Sequence, residues 1–308
     1  MRRAWFCGAA ILVMGGAQAQ NPPEAASGLE VGVRYWISQG STTRGHDASS
    51  ADPILGNPTS VLTYDRLAAN TAELYARNGF REGWFLKGNV GIGAIPNGRF
   101  IDQDFFVSQI LFLETVSGLN GKLYYATIDF GRELWRSGNS TFGLFAGYHH
   151  WNERLDAYGF SNTDQALFVT SRELGENVPV VSNDLTWQSA RVGVEMRSMR
   201  GRTRFSAELA FVPYAKYRNE DSHWLRQSPG DLGPAPNVIA TGHGWGGQAE
   251  LEVRRSYPQY FGLDFGVGLR YWKLKSSEGS QTQAGLDFPI VGLESERFGV
   301  MLSVGKSW

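Results

Sequence analysis

Cysteine is all but absent. The 308-residue chain carries one, Cys7, inside a segment that reads as a removable leader. The mature protein is therefore expected to have no disulfide, no thiol chemistry and no Cys-based zinc site. A charge excess is also lacking, with 29 Lys and Arg against 30 Asp and Glu, which argues against a nucleic-acid partner. After the first twenty residues no apolar run approaches the ~18 residues that a membrane helix needs. A helical membrane protein is thereby excluded, whereas a membrane β-barrel is not.

What the chain does have is glycine, 38 residues, and aromatics at 13%, ten of them Trp. Both point to many short strands. The leader is read at residues 1–19. Arg2 and Arg3 form a basic start, Ala4 to Gly16 an apolar stretch, and Ala17-Gln18-Ala19 a small-x-small cleavage pattern. The mature chain then starts at Gln20 as one domain, 20–308, mildly acidic once the two arginines are gone.

Strict alternation recurs along it. Phe298, Val300, Leu302, Val304 and Trp308 share one parity, while Gly299, Met301, Ser303, Gly305 and Ser307 share the other. Phe261 to Leu269 repeats the pattern against Gly262, Asp264, Gly266, Gly268 and Arg270. Tyr124, Ala126, Ile128 and Phe130 do so against Tyr125, Thr127, Asp129 and Gly131, and Ala190 to Met196 against Arg191, Gly193 and Glu195. Charges on the second face of strand after strand suit a polar lumen with lipid outside. A chain ending on an aromatic residue fits the same class.

About ten such segments are expected, near 29–39, 60–76, 83–95, 121–134, 141–153, 186–198, 203–218, 244–254, 260–274 and 297–308. Between them, long polar stretches (40–59, 96–120, 154–185, 219–243, 275–296) take turns with short ones (77–82, 135–140, 199–202, 255–259). This predicts an all-β transmembrane antiparallel barrel with short periplasmic turns, long extracellular loops and both termini in the periplasm. It would sit in the outer membrane of a Gram-negative bacterium, in contact with outer-membrane lipid.

Two clusters fall at the outer strand tips: Asp102-Gln103-Asp104-Phe105 after the third strand and Asp221-Ser222-His223-Trp224 after the seventh. Carboxylates close together share a proton, and a carboxylate near a histidine strengthens it as a base, so the two form a water-activating set. By chemistry alone, both also read as polar turn residues, and Asp102, Asp104 and Asp129 as oxygen ligands for calcium. His149-His150 reads as a rim or lipid-interface pair, and Gly242 to Gly247 as a flexible, glycine-rich entry to the eighth strand. A serine hydrolase elbow, G-x-S-x-G, is absent.

The two clusters resemble the catalytic stretches of the omptins, ten-stranded outer-membrane aspartyl-type proteases, or those of omptin-like outer-membrane proteins with no known activity. Gly143 to Tyr148, Val192-Gly193-Val194 and Leu209 to Tyr217 support the likeness. The resemblance implies a cell-surface endopeptidase. Asp221 and His223 would activate water, while Asp102 and Asp104 opposite position it and stabilise the oxyanion. It implies peptide or protein substrates, no cofactor or metal, and a need for lipopolysaccharide.

Omptins that cut between basic residues line their specificity pocket with acidic side chains, one from the first strand or its loop and one two residues before the dyad Asp. Here the second position is Asn219, with Glu220 adjacent, and no acidic residue occurs between Val31 and Gly45. The alternatives to a protease are a catalytically inactive surface barrel, acting as an adhesin or structural protein, and a small pore plugged by Glu208, Glu195, Arg191 and Asp129.

Overall fold

The computed structural model describes residues 28–168, 173–228 and 230–308; the expected leader lies outside them. Ten antiparallel strands run in chain order: β1 Leu29–His46, β2 Leu55–Gly79, β3 Trp84–Phe106, β4 Ile110–Ser137, β5 Ser140–Asn162, β6 Leu174–Arg200, β7 Thr203–His223, β8 Val238–Tyr257, β9 Leu263–Gln283 and β10 Leu286–Ser307. Each pairs with its neighbours, and β1 closes on β10 through pairs such as Tyr35↔Leu302, giving a closed barrel with no free edge.

One end carries only tight connections. Gly138 and Gly201 take φ of +54° and +61° there, the left-handed backbone that a two-residue hairpin demands. Phe261, expected in the ninth strand, belongs instead to the five-residue connection between β8 and β9, at φ +57°.

The strands are 18 to 28 residues long, two to three times the ~9–11 that cross a bilayer. Their lower parts follow the expected pattern. Val33, Leu74, Val90, Ile92, Ile128, Leu209, Phe211, Leu269, Phe298 and Leu302 form an exposed apolar belt. The partners of alternate parity point into the lumen, where Arg34 pairs with Glu73 at 2.9 Å, Arg270 with Glu73 at 2.7 Å, and Lys87 with Glu195 at 2.9 Å. Arg191 holds Asp129 at 3.2 Å and Glu208, so the four charges expected to plug the lumen do form one network.

Above the belt the pattern inverts. On β7 the outward positions change from Tyr214 to Lys216 and Arg218, while Ala215 and Tyr217 point inward and are buried. β5 and β6 do the same, with Leu155, Ala157, Val181, Leu185 and Trp187 inside. These parts belong to a continuous apolar cluster built around Trp36, Tyr64, Trp151, Trp187 and Trp272.

Four of the five long loops expected from sequence are thus mostly strand, the exception being 219–243, where residues 224–237 lie between β7 and β8. The connection from β3 to β4 is one helical turn, Val107–Gln109, and residues 284–285 join β9 to β10. The expectation missed this because it looked for apolar-out alternation. A sheet standing in water buries its apolar side inward, as a soluble domain does.

Two smaller expectations are corrected for the same reason. His149 lies within β5, buried in the lumen with Nδ1 2.9 Å from Thr127 Oγ1, so it is no rim residue, whereas His150 faces outward and stacks on the exposed Tyr124, as the interface reading expects. Gly242 to Gly247 lies inside β8 rather than at its entry. A Cβ on Gly244 would collide with the Lys275 carbonyl oxygen of β9.

Candidate active site

Extension of the sheet carries β3 and β7 past the apolar belt and raises both clusters to the far rim. Strand order places three strands between β3 and β7, so the two walls face each other across the mouth. On β3, Asp102 pairs in register with Leu62 and Thr115, and Asp104 with Ser60 and Leu113. The two aspartates are two residues apart and so share a face. Ser60 Oγ lies 3.5 Å from Asp102 Oδ1, a long contact at the limit of a hydrogen bond.

Burial, with the Asp104 carboxylate beside it and Asp221 adding to it, pushes Asp102 up to about 8 against the pull of Arg226. Asp104 is also raised by burial, with Arg226 opposing. The pair therefore holds a proton at neutral pH. Asp129, grouped with them as a possible calcium ligand, lies elsewhere. It stands opposite Lys87, fourteen residues along β4 from the Thr115 that faces Asp102, or ~46 Å at ~3.3 Å per residue.

On β7, Asp221 and His223 also share a face. Asp221 is fully buried. Its Oδ2 accepts from Arg44 and its Oδ1 from Asn183 Nδ2 at 2.5 Å, while the other arm of Arg44 donates to Asn219 Oδ1. His223 is fixed through its backbone. Its N–H donates to Asn237 Oδ1 at 2.9 Å, and its carbonyl accepts from Asn237 Nδ2 at 3.2 Å. Asn237 N–H also donates to the Asp221 carbonyl at 3.0 Å, so one asparagine pins the end of β7.

Among the described residues no side chain lies within hydrogen-bond distance of the His223 imidazole. Burial holds that ring below the usual histidine value. Asp221 works against the shift, as Asp231 does, while Arg44 and Arg226 reinforce it. His46, at the end of β1, is lowered to about 4 by burial and by Arg44, with His223 adding to the shift.

Tyr64 completes the floor. It is buried against Phe100, with ring centroids 4.9 Å apart. Burial raises its hydroxyl well above the ordinary value, and Asp221 and Asp102 add to this from either side. Above the pair, Arg226 is tied to Asp231 at 2.8 Å in the segment that follows β7.

The four residues expected from sequence thus come to one rim, as a proton-holding carboxylate pair on one wall and a neutral imidazole beside a buried carboxylate on the other. Sequence reasoning missed Arg44, Asn183, Asn237, Tyr64 and Arg226. Arg44 was within reach, because it continues the inward parity of Arg34, Trp36, Ser38, Gly40 and Thr42 along β1.

No protein-family model matches the chain, and curated protein sequences give no match. Solved structures do. The crystal structure of the outer membrane protease OmpT from Escherichia coli superposes with a TM-score of 0.70, covering 94% of this chain and 99% of that one at 11% sequence identity. The two share a fold.

Proposed function

We propose that this barrel is an omptin-like endopeptidase of the outer membrane, its site opening to the cell exterior and its substrates peptides or proteins at the cell surface. The observation that carries the reading is the gathering at one rim of the Asp102–Asp104 pair and the Asp221-x-His223 segment, on a fold shared with an outer membrane protease. The apolar belt supports the membrane location, and the lipid it meets there would include lipopolysaccharide.

In this mechanism the neutral His223 takes a proton from a water held between the walls, and the water oxygen attacks the scissile carbonyl carbon. Asp221 supplies the negative charge that favours the imidazolium. Asp102 donates its proton to the forming oxyanion, and Asp104 holds the remaining hydrogen of the water. His223 then returns its proton to the leaving amine, and Asp102 recovers its own as the carbonyl re-forms.

A second reading, a non-catalytic surface barrel, is favoured by one observation: both oxygens of Asp221 are occupied by Arg44 and Asn183 rather than by His223. The test is incubation of the refolded barrel with lipopolysaccharide and a mixed peptide library, beside His223→Ala, with products read by mass spectrometry. Cleavage that vanishes in the variant supports the protease. No cleavage by a demonstrably folded barrel selects the second reading.

A further inference from the structure

Arg44 reaches across the barrel. It stands on β1, where its neighbours in register are Leu62 and Leu293, yet its guanidinium ends on β7, with β8, β9 and β10 between the two strands. There the planar fork is fully committed, one nitrogen to Asn219 and the other to Asp221, at 3% side-chain exposure. The fork thus ties one carboxylate oxygen of Asp221 to the amide of Asn219, and a charge-assisted hydrogen bond so anchored fixes that oxygen in direction as well as in charge. With Asn183 on the other oxygen, each Asp221 oxygen carries a partner, and neither lies within hydrogen-bond distance of the imidazole two residues on.

We infer that Arg44 is a positioning residue of this site, holding Asp221 against Asn183 so as to set how much carboxylate support His223 receives. The inference rests on the reading of His223 as the base, but it concerns a contact that exists whether or not a peptide is cut. A histidine that gains a carboxylate partner becomes easier to protonate, and one whose carboxylate is taken by a guanidinium does not. The charged or titratable groups around His223 are Asp221 on its own strand, Arg44 and His46 on β1, Arg226 and Asp231 after β7, and Asp102 and Asp104 across the mouth. Of these, Arg44 alone grips the carboxylate that would serve the imidazole. Lys in its place would keep the charge and lose the fork.

The experiment is NMR titration of the refolded full-length barrel with isotope-labelled histidine. The chain has five histidines, and His223→Gln identifies the signal. In Arg44→Met the His223 pKa should rise by about one unit or more, and in Arg44→Lys by less. The acid limb of any peptide hydrolysis should move up with it. The same substitution in an Asp221→Asn background measures the direct effect of removing the cation.

A rise clearly larger with Asp221 present establishes that Arg44 acts through the carboxylate. Equal rises in the two backgrounds, or no rise in folded Arg44→Met, overturn the inference. Should Arg44→Met not refold, Arg44→Lys alone, paired with the same Asp221→Asn comparison, decides it by the same criterion. If the wild-type barrel cuts nothing, the protease reading falls, while the titration still reports on Arg44.

Discussion

Arg297 and Glu153 meet at 2.6 Å across the lumen, both buried, beneath the ring of Trp151. The pair bridges β10 and β5 on opposite walls and seals the barrel between the charged lumen below and the site above. Removing one partner leaves the other buried without compensation, which typically costs about 3–5 kcal/mol. Arg297→Met should therefore lower unfolding stability in urea by that order, and the double variant Arg297→Met/Glu153→Gln should regain most of it. An equal loss in single and double variants would show that packing, rather than the unpaired charge, is responsible.

The lumen below is crossed by further pairs, Arg77–Glu195, Lys87–Glu208 and Arg270–Glu73 among them. Side chains that fill a small barrel in this way oppose the passage of ions. In planar bilayers the wild-type protein should show no discrete conductance steps at neutral pH. Steady single-channel openings would instead support the pore reading.

Hydrolysis should follow a bell-shaped pH profile. The base form of His223 exists above its lowered pKa, so the acid limb lies below the ordinary histidine value of 6.5. The proton on Asp102 is lost as pH rises through about 8, so activity declines there. Initial rates from pH 4 to pH 10 check both limbs. An alkaline limb unchanged in Asp102→Asn would remove Asp102 from the role of proton donor.

The same aspartate links pH to stability. Its folded pKa, about 8, lies above the ordinary aspartate value of 3.8, so folding takes up a proton and stability from this group is full at low pH. It is lost progressively as pH rises from about 4 to about 8. Asp102→Asn should therefore change the melting temperature little at pH 4 and raise it relative to wild type at pH 9. Activity should fall about 10²–10⁴-fold. A melting difference that does not grow with pH would contradict this.

Gly244 offers a purely steric test. Any side chain there meets backbone of β9 rather than a yielding side-chain end, so Gly244→Val should fail to refold, as judged by loss of the heat-modifiable electrophoretic shift. Normal refolding would show that the β8–β9 contact is looser than described.

The lower barrel and its order were legible because lipid imposes a period-2 signal: Phe298, Val300 and Leu302 outside, Met301 and Ser303 inside. The upper half was not, because Leu155, Ala157 and Leu185 alternate in the opposite sense and break that signal. The aspartates and the histidine stood out by chemistry and position. Their partners did not, because Asn183 and Arg44 stand on other strands, 38 and 177 residues from Asp221, and Asn237 lies in the irregular segment just before β8. The hold of Arg44 on Asp221, across 177 residues of sequence, has no local signature.

The single turn that joins β3 to β4 has a thermodynamic consequence. Asp102 and Asp104 stand on strand hydrogen-bonded on both sides up to the rim, and that strand is already ordered before anything arrives. A lid of free chain would charge each fixed residue about 1–2 kcal/mol of backbone entropy against ligand affinity. This wall charges almost none. Selectivity on that side therefore rests on the shape and charge of the incoming molecule, with no adaptation by the receptor.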